Sequence, residues 1–364
     1  MSALKRLLLV WSLIAIAVLS LVPLVGAQTS SRVYIPIALA VGLPDLLFVS
    51  NRSGNGEIYT SYANGSNQVR RTQNTLLENL PTWSPDGKSI MFFASEEGTN
   101  DAFDIYTMNY DGTNLKRLTS TPTSEVYPTW SPDGTKIAYT IRRGASGIGL
   151  MNADGTGQRL ITATPVGTDD DPYTGFISWT PDSQSIIFTT INQQGQEIRS
   201  VSSDGIHEKI LATVPGINYV SPPVPSPDGT KVAFSVLEPS ITIYVVNIDG
   251  TSKTTLLQEA NVVLYDVLSW SPSGTKLVFT SSYATGNSEI STINADGSDR
   301  KNITNTPNFD YDPTWSPDST RIAYTSVRDG QFEIYVINSD GSGDTRLTDN
   351  PGWDSLLPQW RPTQ

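Results

Sequence analysis

A short motif returns about every 45 residues along this chain, and that period restricts the fold more than any single residue does. It reads PTWSPDG at 81–87 and 128–134, ISWTPDS at 177–183, PVPSPDG at 223–229, LSWSPSG at 268–274, PTWSPDS at 313–319 and a truncated PQWRP at 358–362. From Trp83 through Trp130, Trp179, Pro225, Trp270 and Trp315 to Trp360 the steps are 47, 49, 46, 45, 45 and 45 residues. Repeats of this length are single supersecondary units that bury their faces only against neighbours, as in propellers and solenoids.

Each unit holds further constant parts. After the motif comes an apolar, β-branched run (Ser89-IMFFAS, Lys136-IAYTI, Ser185-IIFTT, Lys231-VAFSV, Lys276-LVFTS, Arg321-IAYTS), with Leu46-LFVSN alone near the front. Such runs bounded by turn residues predict buried strands. A variable loop leads to a second run typified by Asp104-IYTMN and Glu333-IYVIN, and this ends every time in Asn-Gly or Asp-Gly, from Asn64-Gly65 to Asp340-Gly341. A two-residue hairpin with positive φ at both central residues is expected there. A third run, typified by Lys116-RLT and Arg346-LT, follows. The Ser-Pro-Asp-Gly element predicts another reversal, with Gly available for a left-handed position. Each unit is thus a four-stranded antiparallel meander that opens on a short Trp strand.

Radial stacking covers both faces of such sheets, so the expected fold is an all-β, seven-bladed β-propeller, with six blades as the alternative. The first unit lacks a Trp strand and the last copy, at Trp360, has little else, so the two are expected to form one composite blade that closes the ring. Six of the eight Trp occupy the repeat position and are expected to fill wedges between blades rather than to stack on sugars. Constant reversals are expected on one face of the ring, and variable loops with the entries to the innermost strands on the other, which is the usual placement of a binding surface.

The expected domains are a leader at 1–27, a tail at 28–45 and the propeller at 46–364. Lys5 and Arg6, the apolar stretch from Leu7 to Val22, Pro23 and the small residues before Gln28 resemble a cleaved secretory leader, with an uncleaved anchor as the alternative. No further membrane span is expected. The chain has no Cys, so neither a disulfide nor a lipidated Cys is available. Net charge is −12, and loss of Lys5 and Arg6 with the leader leaves 22 basic against 36 acidic residues, or −14. That balance argues against nucleic acid and anionic membrane as partners and fits an extracytoplasmic monomer.

The ordered set P-x-W-S-P-D-G, K-I-A-Y-T-S, I-Y-V-[MI]-N-x-D-G-[ST] and R-L-T resembles the PD40 repeat of the TolB-like propellers, relatives of WD40. The resemblance implies an extracytoplasmic protein-binding propeller. In the family's namesake, part of the Tol-Pal envelope system, the propeller engages a peptidoglycan-associated lipoprotein. Two departures separate this chain from that role: no room for the N-terminal α/β domain, and seven units where the namesake has six. Similar propellers cap prolyl oligopeptidases and dipeptidyl peptidases, whose hydrolase domain has no counterpart in this sequence.

For nucleophilic hydrolysis the chain offers one histidine, His207, just past the Asp204-Gly205 turn, and no GxSxG elbow, since 144–148 reads GASGI. One His and no Cys make a zinc site implausible. Acids recur ahead of the Trp position: Glu78, Glu125, Asp266, Asp310 and Asp354, with Asp312 beside one and Asp169, Asp170 and Asp171 ahead of Trp179. Placed in loops at the channel mouth, they would form an anionic ring for a cation or a basic segment of a partner. Alternatively, each accepts bonds from its own loop. Asp310 and Asp312, and the triplet Asp169, Asp170 and Asp171, are the best calcium candidates, since hard oxygen ligands cluster there, and no other cofactor is expected. Function is expected to be non-catalytic protein or peptide binding, with a carboxylate-dependent glycosidase or lyase and a surface-held structural module as alternatives.

Overall fold

The computed structural model describes residues 43–96, 102–142, 146–166, 175–193, 195–216, 220–238, 240–260, 262–284, 286–350 and 358–363. The expected leader, 1–27, and residues 28–42 of the expected tail lie outside them.

Those residues build seven four-stranded antiparallel sheets. Six are continuous in sequence. The seventh joins Gln359–Trp360 to Leu46–Ser50, with Leu46 opposite Trp360 and Leu47 opposite Gln359. We number this composite blade first and the others in chain order, so that Trp83 opens the second blade and Trp315 the seventh.

The apolar core is divided among the joints between blades. Leu47, Ile58, Trp83, Ile90 and Phe92 fill the joint of the first and second blades, and Leu46, Phe48, Ile334, Val336 and Trp360 that of the seventh and first. Five repeat Trp are buried, between Trp83 at 5% and Trp360 at 8% exposure, whereas Trp130 is half-buried. Each buried ring also makes a polar contact across the joint. Nε1 of Trp179, Trp270, Trp315, Trp360 and Trp83 donates to the carbonyl of Thr129, Val224, Ser269, Thr314 and Gln359, at 3.1, 3.1, 3.2, 3.2 and 3.4 Å. The acceptor is always the residue just before the preceding blade's Trp position. A Trp at this site therefore supplies both wedge volume and a bond to the preceding blade, which Phe cannot.

Two local expectations need correction. The Asp-Gly turns are not two-residue hairpins with both residues at positive φ: Gly112 has φ 87°, while Asp111 is not in the left-handed region. Gly112 N–H donates to Asn109 O at 2.9 Å, and Asn109 N–H to Thr113 O at 2.8 Å, so a β-turn leads into a glycine bulge. The Asp111 carboxylate instead accepts from the amide and hydroxyl of Thr113. A Cβ on Gly65 would also lie 2.5 Å from Leu347 O in the neighbouring blade, so that turn needs glycine twice over.

The Trp strands, expected to be short throughout, extend upstream in four blades: Leu76–Trp83, Ser124–Trp130, Val262–Trp270 and Asp310–Trp315. Each is interrupted by a register shift, and three residues before its Trp stands a residue at positive φ: Leu80 (44°), Tyr127 (51°), Val267 (49°) and Asp312 (56°). These are β-bulges, which bend a strand and re-aim its side chains. The left-handed backbone costs on the order of 1 kcal/mol at a non-glycine residue.

Candidate functional site

The face opposite the SPDG and Asp-Gly turns carries the connections between second and third strands and the upstream ends of the inner strands. Four of the sequence-predicted acids, Glu78, Glu125, Asp310 and Asp312, fall here among the described residues, and within strands rather than open loops. Glu78, Glu125 and Asp310 lie within strands, at 5%, 2% and 0% exposure. Asp312 is half-buried on its bulge. The side chain of Asp266, and Asp169, Asp170, Asp171 and Asp354 altogether, lie outside the described residues.

The buried acids belong to a joint that recurs around the ring. The third strand of a blade carries an acid at its first or second residue, Glu57, Asp104, Glu289 or Glu333, each buried. The Thr of the R-L-T run accepts the amide of the next residue: Thr72 from Ile58, Thr119 from Ile105, Thr304 from Ile290 and Thr348 from Ile334, each at 2.9 Å. The Arg of that run holds the acid, with Arg70 to Glu57 at 2.6 Å, Arg117 to Asp104 at 2.5 Å and Arg346 to Glu333 at 2.8 Å. The acid of the following blade then closes the joint. Glu78 accepts from Thr72 at 2.6 Å, from Asn74 at 2.7 Å and from the Ile58 amide at 3.2 Å. Glu125 accepts from Thr121 and Thr123, both at 2.5 Å. Asp310 accepts from Thr306 at 3.3 Å and faces Arg328 at 3.4 Å. The paired repeats of Asp/Glu-Ile and Arg-x-Thr, 13 residues apart in the first, second and seventh blades, were the signal for this joint.

Burial sets the protonation of these groups. Desolvation pushes the Glu78 carboxyl up to about 7, against the bonds from Thr72 and Asn74, with Glu57 adding to the rise. Desolvation, with the Asp310 charge behind it, pushes Glu289 up to about 7 as well. Burial likewise raises Glu125 and Asp310. A carboxyl whose folded pKa exceeds its unfolded value favours the fold at low pH and loses that contribution as pH rises through the folded pKa. Stability is therefore expected to fall between pH 5 and pH 8, by on the order of a few kcal/mol over both sites. Glu78→Gln, which fixes the neutral form at one of the two sites, should remove about half of the fall. A melting temperature that rises over this interval would contradict the assignment.

For calcium, the geometry at Asp310 is unfavourable, because the Arg328 guanidinium already faces its carboxylate and also bonds Asp344 and Tyr324. Among the described residues no group of three or more His, Asp or Glu is arranged to hold a metal ion. His207 is exposed on its turn, its amide bonded to Ser202 Oγ at 3.0 Å.

Above the joints the same face is aromatic, which the sequence reading missed. Tyr127, on the bulge of the third blade, packs against Phe176 at 4.2 Å and against Phe93 at 5.5 Å, and Arg142 lies 5.2 Å over its ring. Phe309 stacks on Tyr311 at 5.8 Å and is 39% exposed. Phe332, Leu77 and Leu237 are similarly exposed at strand ends of this face.

With this geometry in hand, comparison with known proteins places the chain. Structures of similar shape include TolB from Acinetobacter baumannii, at 20% identity over 76% of this chain and 67% of that one, TM-score 0.57. An oligogalacturonate lyase from Vibrio parahaemolyticus matches at 13% identity over 80% and 86%, TM-score 0.64. A puromycin-hydrolyzing peptidase of Mycobacterium tuberculosis matches at 13% over 84% of this chain and 53% of its own, TM-score 0.62. At these identities the likeness is one of fold, shared by a TolB and by enzymes. The family model for the TolB β-propeller domain, PD40, matches residues 42–219 and 218–364, and the chain belongs to that family.

Proposed function

We propose that this is an exported, non-catalytic propeller that binds a protein or peptide on the face bearing the variable loops. The observation that carries the reading is the concentration of partly exposed aromatic rings there, Tyr127 with Phe176 and Phe309 with Tyr311, over a rigid layer of hydrogen-bonded joints. Aromatic anchors on a fixed frame supply contact area at small entropic cost and are enriched where proteins bind each other. Half-buried Asp312 adds negative charge to the same rim, which favours a basic partner segment. Envelope lipoproteins and other peptidoglycan-associated proteins are the partner class that membership of the family suggests.

Capture from envelope extract with the leaderless protein tests this. Phe309→Asp and Phe332→Asp alter exposed side chains and should leave folding intact while removing the captured partner. Ile206→Asp, at a 74% exposed position on the opposite face, should retain it. Equal recovery with all three variants would refute the proposal.

A carboxylate-dependent glycan-active enzyme is the second reading, suggested by the fold shared with an oligogalacturonate lyase, and the Glu289 carboxyl, raised by burial, is the acid it would draw on. It predicts release of reducing or unsaturated sugars from envelope polysaccharide that Glu289→Gln abolishes. No product from any such polymer removes it.

A further inference from the structure

The turn face, opposite the rim just described, carries a cleft of about 630 Å³ between the second and third blades, lined among others by Asp86, Ser89, Trp130, Asp133 and Asp154. The cleft coincides with a departure from the repeat. The residue that opens the second strand of a blade is Lys136, Lys231, Lys276 or Arg321 in the third, fifth, sixth and seventh blades. In the seventh, the Arg321 guanidinium lies over the ring of Trp360 in the adjoining blade, 4.9 Å from its centroid. Trp83 is covered in a related way by Arg361, at 6.0 Å. In the second blade the position is Ser89, too short to reach the ring of Trp130. In the fourth blade it is also serine, Ser185, but the neighbouring blade there has Pro225 in place of Trp. Trp130 is half-buried where the other five repeat Trp are buried, no cation lies over its ring among the described residues, and its buried Nε1 has no hydrogen-bond partner there.

We infer that this cleft binds a guanidinium group, in the form of an arginine side chain of a partner polypeptide, stacked on Trp130 where Arg321 stacks on Trp360. The lining supplies three carboxylates, Asp86, Asp133 and Asp154, and no cation of its own. Two lysines stand outside the lining: Lys88, 3.4 Å from Asp86 and 68% exposed, and Lys116, whose Nζ bonds the backbone carbonyl of Asp154 at 2.5 Å. Exposed pairs of this kind hold little energy and exchange readily. A planar, weakly hydrated guanidinium suits an indole face better than an ammonium does. The inference is independent of the binding rim, since it rests on the opposite face.

The Trp130 indole N–H resonance, identified by its loss in Trp130→Phe, gives the test. Titration with an Ala-Arg-Ala peptide should shift that resonance saturably, and the same peptide with citrulline in place of arginine should bind about two- to thirtyfold more weakly, as loss of one cation–π contact implies. Ser89→Arg, which gives the second blade the seventh blade's own side chain, should abolish the shift and raise the unfolding temperature. An equal response to the citrulline peptide, or a shift that survives in folded Ser89→Arg, would overturn the inference. Tighter binding of agmatine than of the arginine peptide would overturn the assignment to a polypeptide.

Discussion

Deleting Pro358–Gln364 should cost more than about 5 kcal/mol and make the protein aggregate. The segment is small, but it completes the first blade and joins it to both neighbours. Trp360 is buried among Leu46, Phe48, Val336 and Leu347, and removing a ring of this kind alone costs roughly 3–5 kcal/mol. The deletion also removes the Arg361 amide's bond to Asp45 O, 2.7 Å, the Arg361 Nε bond to Gly87 O, 2.8 Å, and the carbonyl of Gln359 that Trp83 uses. The first blade is left with the edge of Leu46–Ser50 unpaired beside an open joint, a template for intermolecular pairing. Chemical denaturation and light scattering of the truncated protein check this; an unchanged unfolding midpoint would mean that the ring closes without the C-terminal strand.

Asp310→Lys should destabilise the fold about as severely as Trp315→Ala, by roughly 3–5 kcal/mol each, for different reasons. Trp315 fills the joint lined by Val278, Ile290, Ile322 and Tyr324, and its loss leaves a cavity and frees the carbonyl of Ser269. Asp310 is fully buried, and a lysine there would bury a second cation against Arg328 in place of the carboxylate that faces it. Asp310→Asn, which keeps the shape, should cost much less. Urea unfolding of the three variants decides it. A folded Asp310→Lys with wild-type stability would return Asp310 to the solvent-facing loop that the sequence suggested.

The difference between those two positions of Asp310 shows where legibility stopped. Blade number, composite closure, the Trp wedge and the sharing of one face by the two constant turns were readable, because each follows from spacing and from strand and turn chemistry that repeats. Glu78, Glu125 and Asp310 were misplaced because their inner strands run further upstream than the apolar pattern indicates, each through a bulge, as where the register shifts between Tyr311 and Thr314. The bulge residues Leu80, Tyr127, Val267 and Asp312 give no warning, since three of them are types that ordinarily avoid positive φ. The turn chemistry misled for a related reason: Asp before Gly suggested a two-residue hairpin, whereas its side chain is used to cap the following Thr or Ser. The aromatic rim escaped notice because Phe93, Phe103, Tyr127 and Phe176 belong to two successive joints and meet only in three dimensions.

Site-specific photocrosslinking tests the central claim, a protein or peptide partner on the variable-loop face, most directly. With a benzophenone amino acid in place of Phe309, of Phe332 and of Ile210, which is 47% exposed on an outer strand, the leaderless protein would be irradiated in envelope extract. The account predicts one discrete adduct of the same mass from positions 309 and 332 and none from 210. Adducts from 210 alone, or no adduct at 309 and 332 with a protein that still captures its partner, would contradict it.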